Sequence, residues 1–188
     1  MNRIPLIDPT LADGKSKPVF DSIQSKFGGV PNVFRIFGNS PAALKSYVEQ
    51  NAALAGGILT PQLREQLAIM VSEINGCGYC LSAHVVFGGK VGLDREQMES
   101  ARHARADDDR TNAALEFAHS VIRERGNVSP KELDAVRGAG FGNAEILEIV
   151  CQVALTTLTN YVNNLAETII DFPVVTPGEF LEASAASA

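Results

Sequence analysis

Arg64-Glu65-Gln66-Leu67-Ala68-Ile69-Met70-Val71-Ser72-Glu73-Ile74-Asn75-Gly76-Cys77-Gly78-Tyr79-Cys80-Leu81-Ser82-Ala83-His84 reads as a helix, a break and a second helix. Leu63, Leu67, Met70, Val71 and Ile74 recur at the spacing of one helical face, and Asn75-Gly76 ends the run. Beyond the break, Cys77, Cys80 and His84 stand at i, i+3 and i+7, so on one helix they share a face. Gly76 and Gly78 mark the start of that helix and put both sulfurs in its first turn. Unpaired N–H groups and the macrodipole favour a thiolate there. His84 is one turn from Cys80 and two from Cys77, so its imidazole reaches Cys80 more readily. Cys77, nearer the helix start, is expected to be the more accessible thiol. Glu65 lies off the main stripe of the first helix, beside Ala68, Ile69 and Ser72, and faces the cysteines if the two helices pack as a hairpin. The pattern suits thiol–disulfide and peroxide chemistry, because a thiolate is the nucleophile and a neutral thiol a poor one.

Working outward, the periodicity stays helical. Ser40-Pro41 gives an N-cap with Pro at the first helical position, and Leu44, Tyr47, Val48, Asn51, Leu54 and Ala55 follow until Gly56-Gly57. Thr60-Pro61 opens the helix that contains Glu65. The helix that carries the cysteines is expected over about Tyr79 to Phe87, ended by Gly88-Gly89. Asp94 with Gln97, and Ser129 with Glu132, read as capping boxes. Leu115, Ala118, Val121 and Ile122 mark a helix that Gly126 ends. The last long helix starts near Asn143 with a broad stripe of Leu147, Val150, Cys151, Ala154, Leu155, Leu158, Tyr161, Val162 and Leu165, expected to be buried over much of its girth. Residues 1–30 are the least regular, and the tail 182–188 reads as frayed. No strand is expected. The chain reads as one all-α domain over 1–188, with its core at about 18–170.

Composition narrows the function classes. The chain has 188 residues, 22 Asp plus Glu against 16 Lys plus Arg, and a net charge of −6. No basic cluster offers phosphate contacts, so nucleic acid is not an expected partner. Apolar runs break well before the ~20 residues a bilayer needs, and Met1-Asn2-Arg3-Ile4-Pro5 lacks a signal-peptide core, so neither a membrane nor export is expected. A cytoplasmic location follows as the default, and thiols are kept reduced there. Three cysteines in such a chain do not make a structural framework, and two of them three residues apart call for a chemical explanation.

Glu65, Cys77, Cys80 and His84 fill a Glu-x11-Cys-x2-Cys-x3-His pattern that resembles the active-site signature of the AhpD-like branch of the carboxymuconolactone decarboxylase superfamily. Pro31-Asn32-Val33-Phe34-Arg35 with Asn39-Ser40-Pro41 upstream, and Asn160-Tyr161-Val162-Asn163-Asn164 downstream, resemble its peroxidase-related members. The likeness spans roughly residues 18 to 170. It implies an all-helical, homo-oligomeric, cofactor-free thiol peroxidase that holds no metal. By analogy Cys80 is the peroxidatic cysteine, Cys77 the resolving one, His84 the base and Glu65 its orienting partner. Tyr79 occupies a position from which relatives relay protons. The substrate class implied is a hydroperoxide, and the disulfide would be returned by a dithiol reductant or a lipoylated adaptor protein.

Other readings of the same residues weigh less. A zinc half-site needs a second pair of ligands, and Cys151, His103 and His119 are scattered. A c-type haem needs His after the second cysteine, where Leu81 stands. Cys151 reads as a small buried hydrophobe, His103 as solvated, His119 as a helix-boundary residue, and Asp107-Asp108-Asp109 as a helix start or loop. Two other functions compete: a redox sensor whose disulfide alters a partner, and a carboxymuconolactone-type decarboxylase, whose acid–base chemistry does not need the cysteine pair.

Overall fold

The computed structural model describes residues 2–12 and 14–179, so the tail read as frayed lies outside the described residues. Among them the secondary structure is helical, with no strand: α1 (Lys17–Phe27), α2 (Asn32–Phe37), α3 (Pro41–Ala55), α4 (Pro61–Ile74), α5 (Gly78–Lys90), α6 (Arg95–Arg102), α7 (Asp109–Arg123), α8 (Pro130–Gly138) and α9 (Asn143–Ala166), after a short 3-10 turn at Pro9–Leu11. No single helix among them is long and apolar enough to cross a membrane.

The helix starts follow from local chemistry. Ser40, Thr60 and Ser129 each accept an N–H from the third residue of the helix they open, and each is followed by Pro. Asp94 and Ser129 complete capping boxes with Gln97 and Glu132, and Asp108 caps α7. The α4–α5 junction is the tightest of these. Gly76 takes a left-handed φ of 60°, its N–H meets Glu73 O, and Cys77 N–H meets Ser72 O at 2.9 Å. This pair of bonds is a Schellman ending for α4. Cys77 then caps α5, its sulfur accepting the Cys80 N–H at 3.4 Å.

α4 is the central helix, packed mainly against α5, α9 and α6. The stripe read from sequence is only half of its buried surface. Ala68, Ile69 and Ser72 are also fully covered, while Ile74 is exposed. One apolar cluster joins Leu67, Met70, Leu115, Val136 and Ile149 across α4, α7, α8 and α9. A second joins Phe20, Phe34, Leu44, Tyr79 and both cysteines. Burial of each large apolar side chain contributes about 1.5–3 kcal/mol.

Residues 1–30, read as the least regular, hold one α-helix, α1 over Lys17–Phe27, which buries Phe20 and Ile23, and Pro31-Asn32-Val33-Phe34-Arg35 opens the short helix α2. Two expectations are corrected. α5 runs through Gly88 and Gly89, because a Cβ on Gly88 would meet Met98 Sδ at 2.9 Å and the bare backbone lets α6 approach. The apolar stripe of α9 faces outward instead of inward. Leu147, Leu158, Tyr161, Leu165 and Cys151 are exposed, and the buried face is Gln152, Thr156, Thr159, Asn160 and Asn163 with Ile149, Val153 and Leu155.

After α9 the chain returns over the start of α5. Asn32 holds this strap through Ile169 O and the Asp171 carboxylate, and Ser82 Oγ accepts the Val175 N–H at 2.9 Å. Gly78 has no Cβ where Ile170 and Pro177 pass at 3.6 and 3.7 Å. Buried Arg102 anchors the end of the strap, donating to Glu73, Thr176 O and Glu179 O.

Candidate active site

α4, α5 and α9 bring the four signature side chains together. His84 Nδ1 lies 2.8 Å from Glu65 Oε2, so the hairpin geometry expected of Glu65 is realised. Burial alone would lower the pKa of the imidazole. The adjacent Glu65 carboxylate and the Cys80 charge overcome that and hold it above the ordinary 6.5. A protonated His84 donates Nδ1–H to Glu65 and keeps its positive charge one helical turn from Cys80.

Both sulfurs are buried, at 0% exposure for Cys77 and 3% for Cys80. The two differ in what they face. Cys80 lines a cavity of about 350 Å³ together with Glu65, His84, Tyr79, Gln152 and Asn163. Cys77 sits behind it at the α4–α5 junction, so the expectation that Cys77 is the more accessible thiol is corrected. The strap from 168 to 179 passes over the start of α5 at Gly78 and Ser82.

The electrostatics separate the pair further. Burial would push the Cys80 thiol up. The Cys77 thiol donor, the charge of His84, and donors from Asn160 and Asn163 overcome burial and bring it well below the usual 9.0. Asn163 Nδ2 reaches the Cys80 sulfur at 3.2 Å. Cys77 is shifted the opposite way: the hydrogen bond it gives to Cys80, then its burial, then the neighbouring thiolate keep it protonated. The opposite shifts favour a thiolate at Cys80, on the cavity, and a thiol at Cys77 behind it.

Tyr79 lies between the cysteines in sequence and lines the same cavity. Its hydroxyl accepts the Val33 N–H at 3.1 Å, and the Asp171 carboxylate is its other partner. Burial first, and then Asp171, hold the phenol protonated despite the Val33 donor. These contacts tie α5 to α2 and the strap.

Asn160, Asn163 and Thr159 carry no role in the sequence reading. Asn160 is fully buried, donating to Ser72 Oγ and accepting from Asn75 Nδ2 at 2.9 Å, which fixes α9 against the end of α4. Thr159 Oγ1 lies 4.0 Å from the Cys80 sulfur. The available signal was a polar stripe at helical spacing, Gln152, Thr156, Thr159, Asn160 and Asn163, on the side of α9 opposite its apolar residues.

Residues 41–124 match the Carboxymuconolactone decarboxylase family. No curated protein matches the chain. Among solved structures, an uncharacterized peroxidase-related protein from Silicibacter sp. TM1040 is 26% identical with a TM-score of 0.76 over 89% of each chain. The alkylhydroperoxidase AhpD core of an uncharacterized peroxidase-related protein from Ralstonia eutropha JMP134 is 24% identical, with a TM-score of 0.82 over 90% of this chain and 92% of that one. The debrominase Bmp8, as a cysteine-to-alanine variant in complex with 2,3,4-tribromopyrrole, is 18% identical with a TM-score of 0.76 over 90% of this chain and 91% of that one. The last two likenesses are likenesses of fold.

Proposed function

We propose that this chain, which matches the Carboxymuconolactone decarboxylase family over residues 41–124, is an AhpD-like, cofactor-free thiol peroxidase working through Cys80 and Cys77. The observation that carries the reading is the Cys80 sulfur: a thiol whose pKa is brought down by Cys77, His84, Asn160 and Asn163, lining a cavity large enough for a substrate.

In the first step the Cys80 thiolate attacks the terminal oxygen of R–O–O–H. An S–O bond forms as the O–O bond breaks; sulfur is oxidised to the sulfenic acid, and the leaving alkoxide takes a proton to become the alcohol. His84 is the charge that stabilises the thiolate and the proton donor within reach of the leaving oxygen, with Glu65 holding it in place. In the second step the Cys77 sulfur displaces hydroxide from Cys80–SOH. The S–S bond forms, and hydroxide leaves as water with the Cys77 proton. The thiol–thiol hydrogen bond places Cys77 against Cys80 for this step. Two electrons and two protons from an external dithiol, free or carried as a lipoyl group on an adaptor protein, close the cycle. Such a cycle belongs in a reducing cytoplasm. Tyr79 serves as a positioning residue between α2, α5 and the strap.

The reading includes a homo-oligomer. The outward apolar face of α9, five large side chains between Leu147 and Leu165 that are at least 37% exposed, supports it. Hydrogen peroxide and cumene hydroperoxide, offered with dithiothreitol, test the activity. The chain should accelerate their loss, and Cys80→Ser should not. A rate equal to dithiothreitol alone, with the disulfide still formed by peroxide, would favour the sensor reading. Decarboxylation needs no sulfur and is disfavoured by a site organised around one.

A further inference from the structure

We propose that the cavity over Cys80 takes a bulky, aromatic or otherwise apolar hydroperoxide that carries an anionic group, and that Arg64, Lys26 and Lys90 bind that group. This rests on the peroxidase reading and specifies its substrate. Size is the first argument. Hydrogen peroxide occupies about the space of two waters, roughly 60 Å³, and would leave most of a cavity of about 350 Å³ unfilled.

The walls are the second argument. Six of the chain's twelve aromatic residues, Phe27, Phe34, Tyr47, Tyr79, Phe87 and Phe172, line this one cavity. Their rings run as a connected set, with Phe27–Phe34 at 6.0 Å, Phe27–Phe87 at 6.1 Å and Phe87–Phe172 at 5.7 Å. Such a wall favours an aryl or branched apolar body over water.

Charge is the third argument. In a chain of net charge −6, the cavity gathers Lys26, Arg64 and Lys90 against a single carboxylate, Glu65, which His84 already engages. Among the described residues none of the three cations makes an ion pair. Lys26 and Lys90 rest 5.5 Å over the Phe27 and Phe87 rings, which keeps their ammonium groups at the exposed rim. Arg64 goes deeper: its Nε is buried without any acceptor.

A second orphan complements it. Asn163 is 3% exposed and gives its Nδ2 to Cys80, yet its Oδ1 is buried with no donor. Buried polar atoms left unpaired are costly and need an explanation. Both side chains line the cavity, so a small shift on binding would bring a hydroperoxide O–H to Asn163 Oδ1 beside Cys80 and an anionic group to the Arg64 guanidinium. The bonds made and broken are those of the peroxidase cycle; the anionic group is unchanged and leaves with the alcohol.

Binding and turnover test this separately. Titration calorimetry on the reduced protein compares 4-isopropylbenzoate with the isosteric, neutral 4-isopropylbenzamide. The carboxylate should bind about tenfold tighter at low salt, with the advantage shrinking as salt rises. Arg64→Gln should remove most of that advantage. Lys26→Gln with Lys90→Gln, both exposed and harmless to folding, should reduce it. In turnover, 4-carboxycumene hydroperoxide should be preferred to cumene hydroperoxide by kcat/KM. Equal affinity of acid and amide for the native protein overturns the anion site, even if both peroxides are reduced. Selective binding of the acid with neither peroxide reduced supports the anion site and overturns the peroxidase reading instead.

Discussion

Asn163 donates its side-chain amide to the Cys80 sulfur at 3.2 Å, from a helix 83 residues further along the chain. A donor of this kind stabilises the thiolate more than the thiol, because hydrogen bonds to charged acceptors are the stronger ones. Asn163→Ala is therefore expected to raise the Cys80 pKa by about one unit, the equivalent of a charge-assisted bond worth about 1.5 kcal/mol. Site-resolved iodoacetamide labelling against pH measures it. A Cys80 profile that stays where it is in the native protein would remove Asn163 from the account of this thiol.

Glu65 and His84 set the pH window. The His84 pKa is raised above 6.5 by Glu65 against the opposing pull of burial, so with Gln at position 65 burial dominates and the imidazolium is lost at lower pH. Cys80 then lacks its counter-charge near neutrality. The acid limb of its reaction with peroxide should move to higher pH in Glu65→Gln. Stability follows the sign of the same shift. A raised histidine pKa stabilises the fold below 6.5 and ceases to do so as pH rises through the folded value. The stability gap between native and Glu65→Gln proteins should thus be widest between about pH 5 and 6.5 and narrow above it. A gap that widens with pH would contradict the pairing.

The capped helices and the Glu65–Cys77–Cys80–His84 set were legible in the sequence because their signals are local. A Ser-Pro or Thr-Pro start, a Gly break and a fixed spacing need no knowledge of the rest of the fold. Three features were not. Periodicity finds two faces on α9 but cannot say which is inward when the polar face surrounds a thiol and the apolar face is left outside. Gly88-Gly89 reads as a stop, although Met98 makes it a close approach within α5. The strap over the start of α5 comes almost a hundred residues later, held through Ser82 and Arg102, and nothing near Cys77 announces it.

The apolar face of α9 should be an assembly surface. Leu158 and Leu165 are 38% and 63% exposed on the same side as Tyr161. A charge there would be desolvated in an interface and harmless on a free surface. Leu158→Glu with Leu165→Glu should keep the helical content and shift light scattering from an oligomer to about the 20.0 kDa of one chain. A native protein that already scatters as a monomer at micromolar concentration would end this proposal.

Arg102 should be the most sensitive surface-distant position. Its side chain is 2% exposed and is bound by Glu73 at 2.8 Å, itself 10% exposed. Removing it strands a buried carboxylate and frees Thr176 O and Glu179 O, so Arg102→Ala should cost about 3 kcal/mol or more. Urea unfolding gives the loss. Increased labelling of Cys77 in the folded state would report release of the strap, and unchanged labelling would show that the strap is held without Arg102.

The roles of the two cysteines are the sharpest test of the chemistry. Cys80 lines the cavity, lies one turn from His84 and is held towards the thiolate by Cys77, Asn160 and Asn163. Cys77 is fully buried and held as the thiol that donates to Cys80. Cys77→Ser should therefore react with peroxide once and stop, leaving a sulfenic acid on Cys80 that a dimedone probe captures. The serine hydroxyl can still donate to Cys80, so the loss of cycling should exceed any loss of the first oxidation. Cys80→Ser should yield no sulfenate on Cys77, since that sulfur is held protonated and does not line the cavity. His84→Ala should slow the first oxidation and move its acid limb up in pH without changing which sulfur is labelled. The rival order makes Cys77, the cap of α5, the low-pKa attacker, as helix-terminal cysteines often are. Dimedone on Cys77 in the Cys80→Ser protein, with Cys80 unlabelled in the Cys77→Ser protein, would establish that order and remove His84 from the first step.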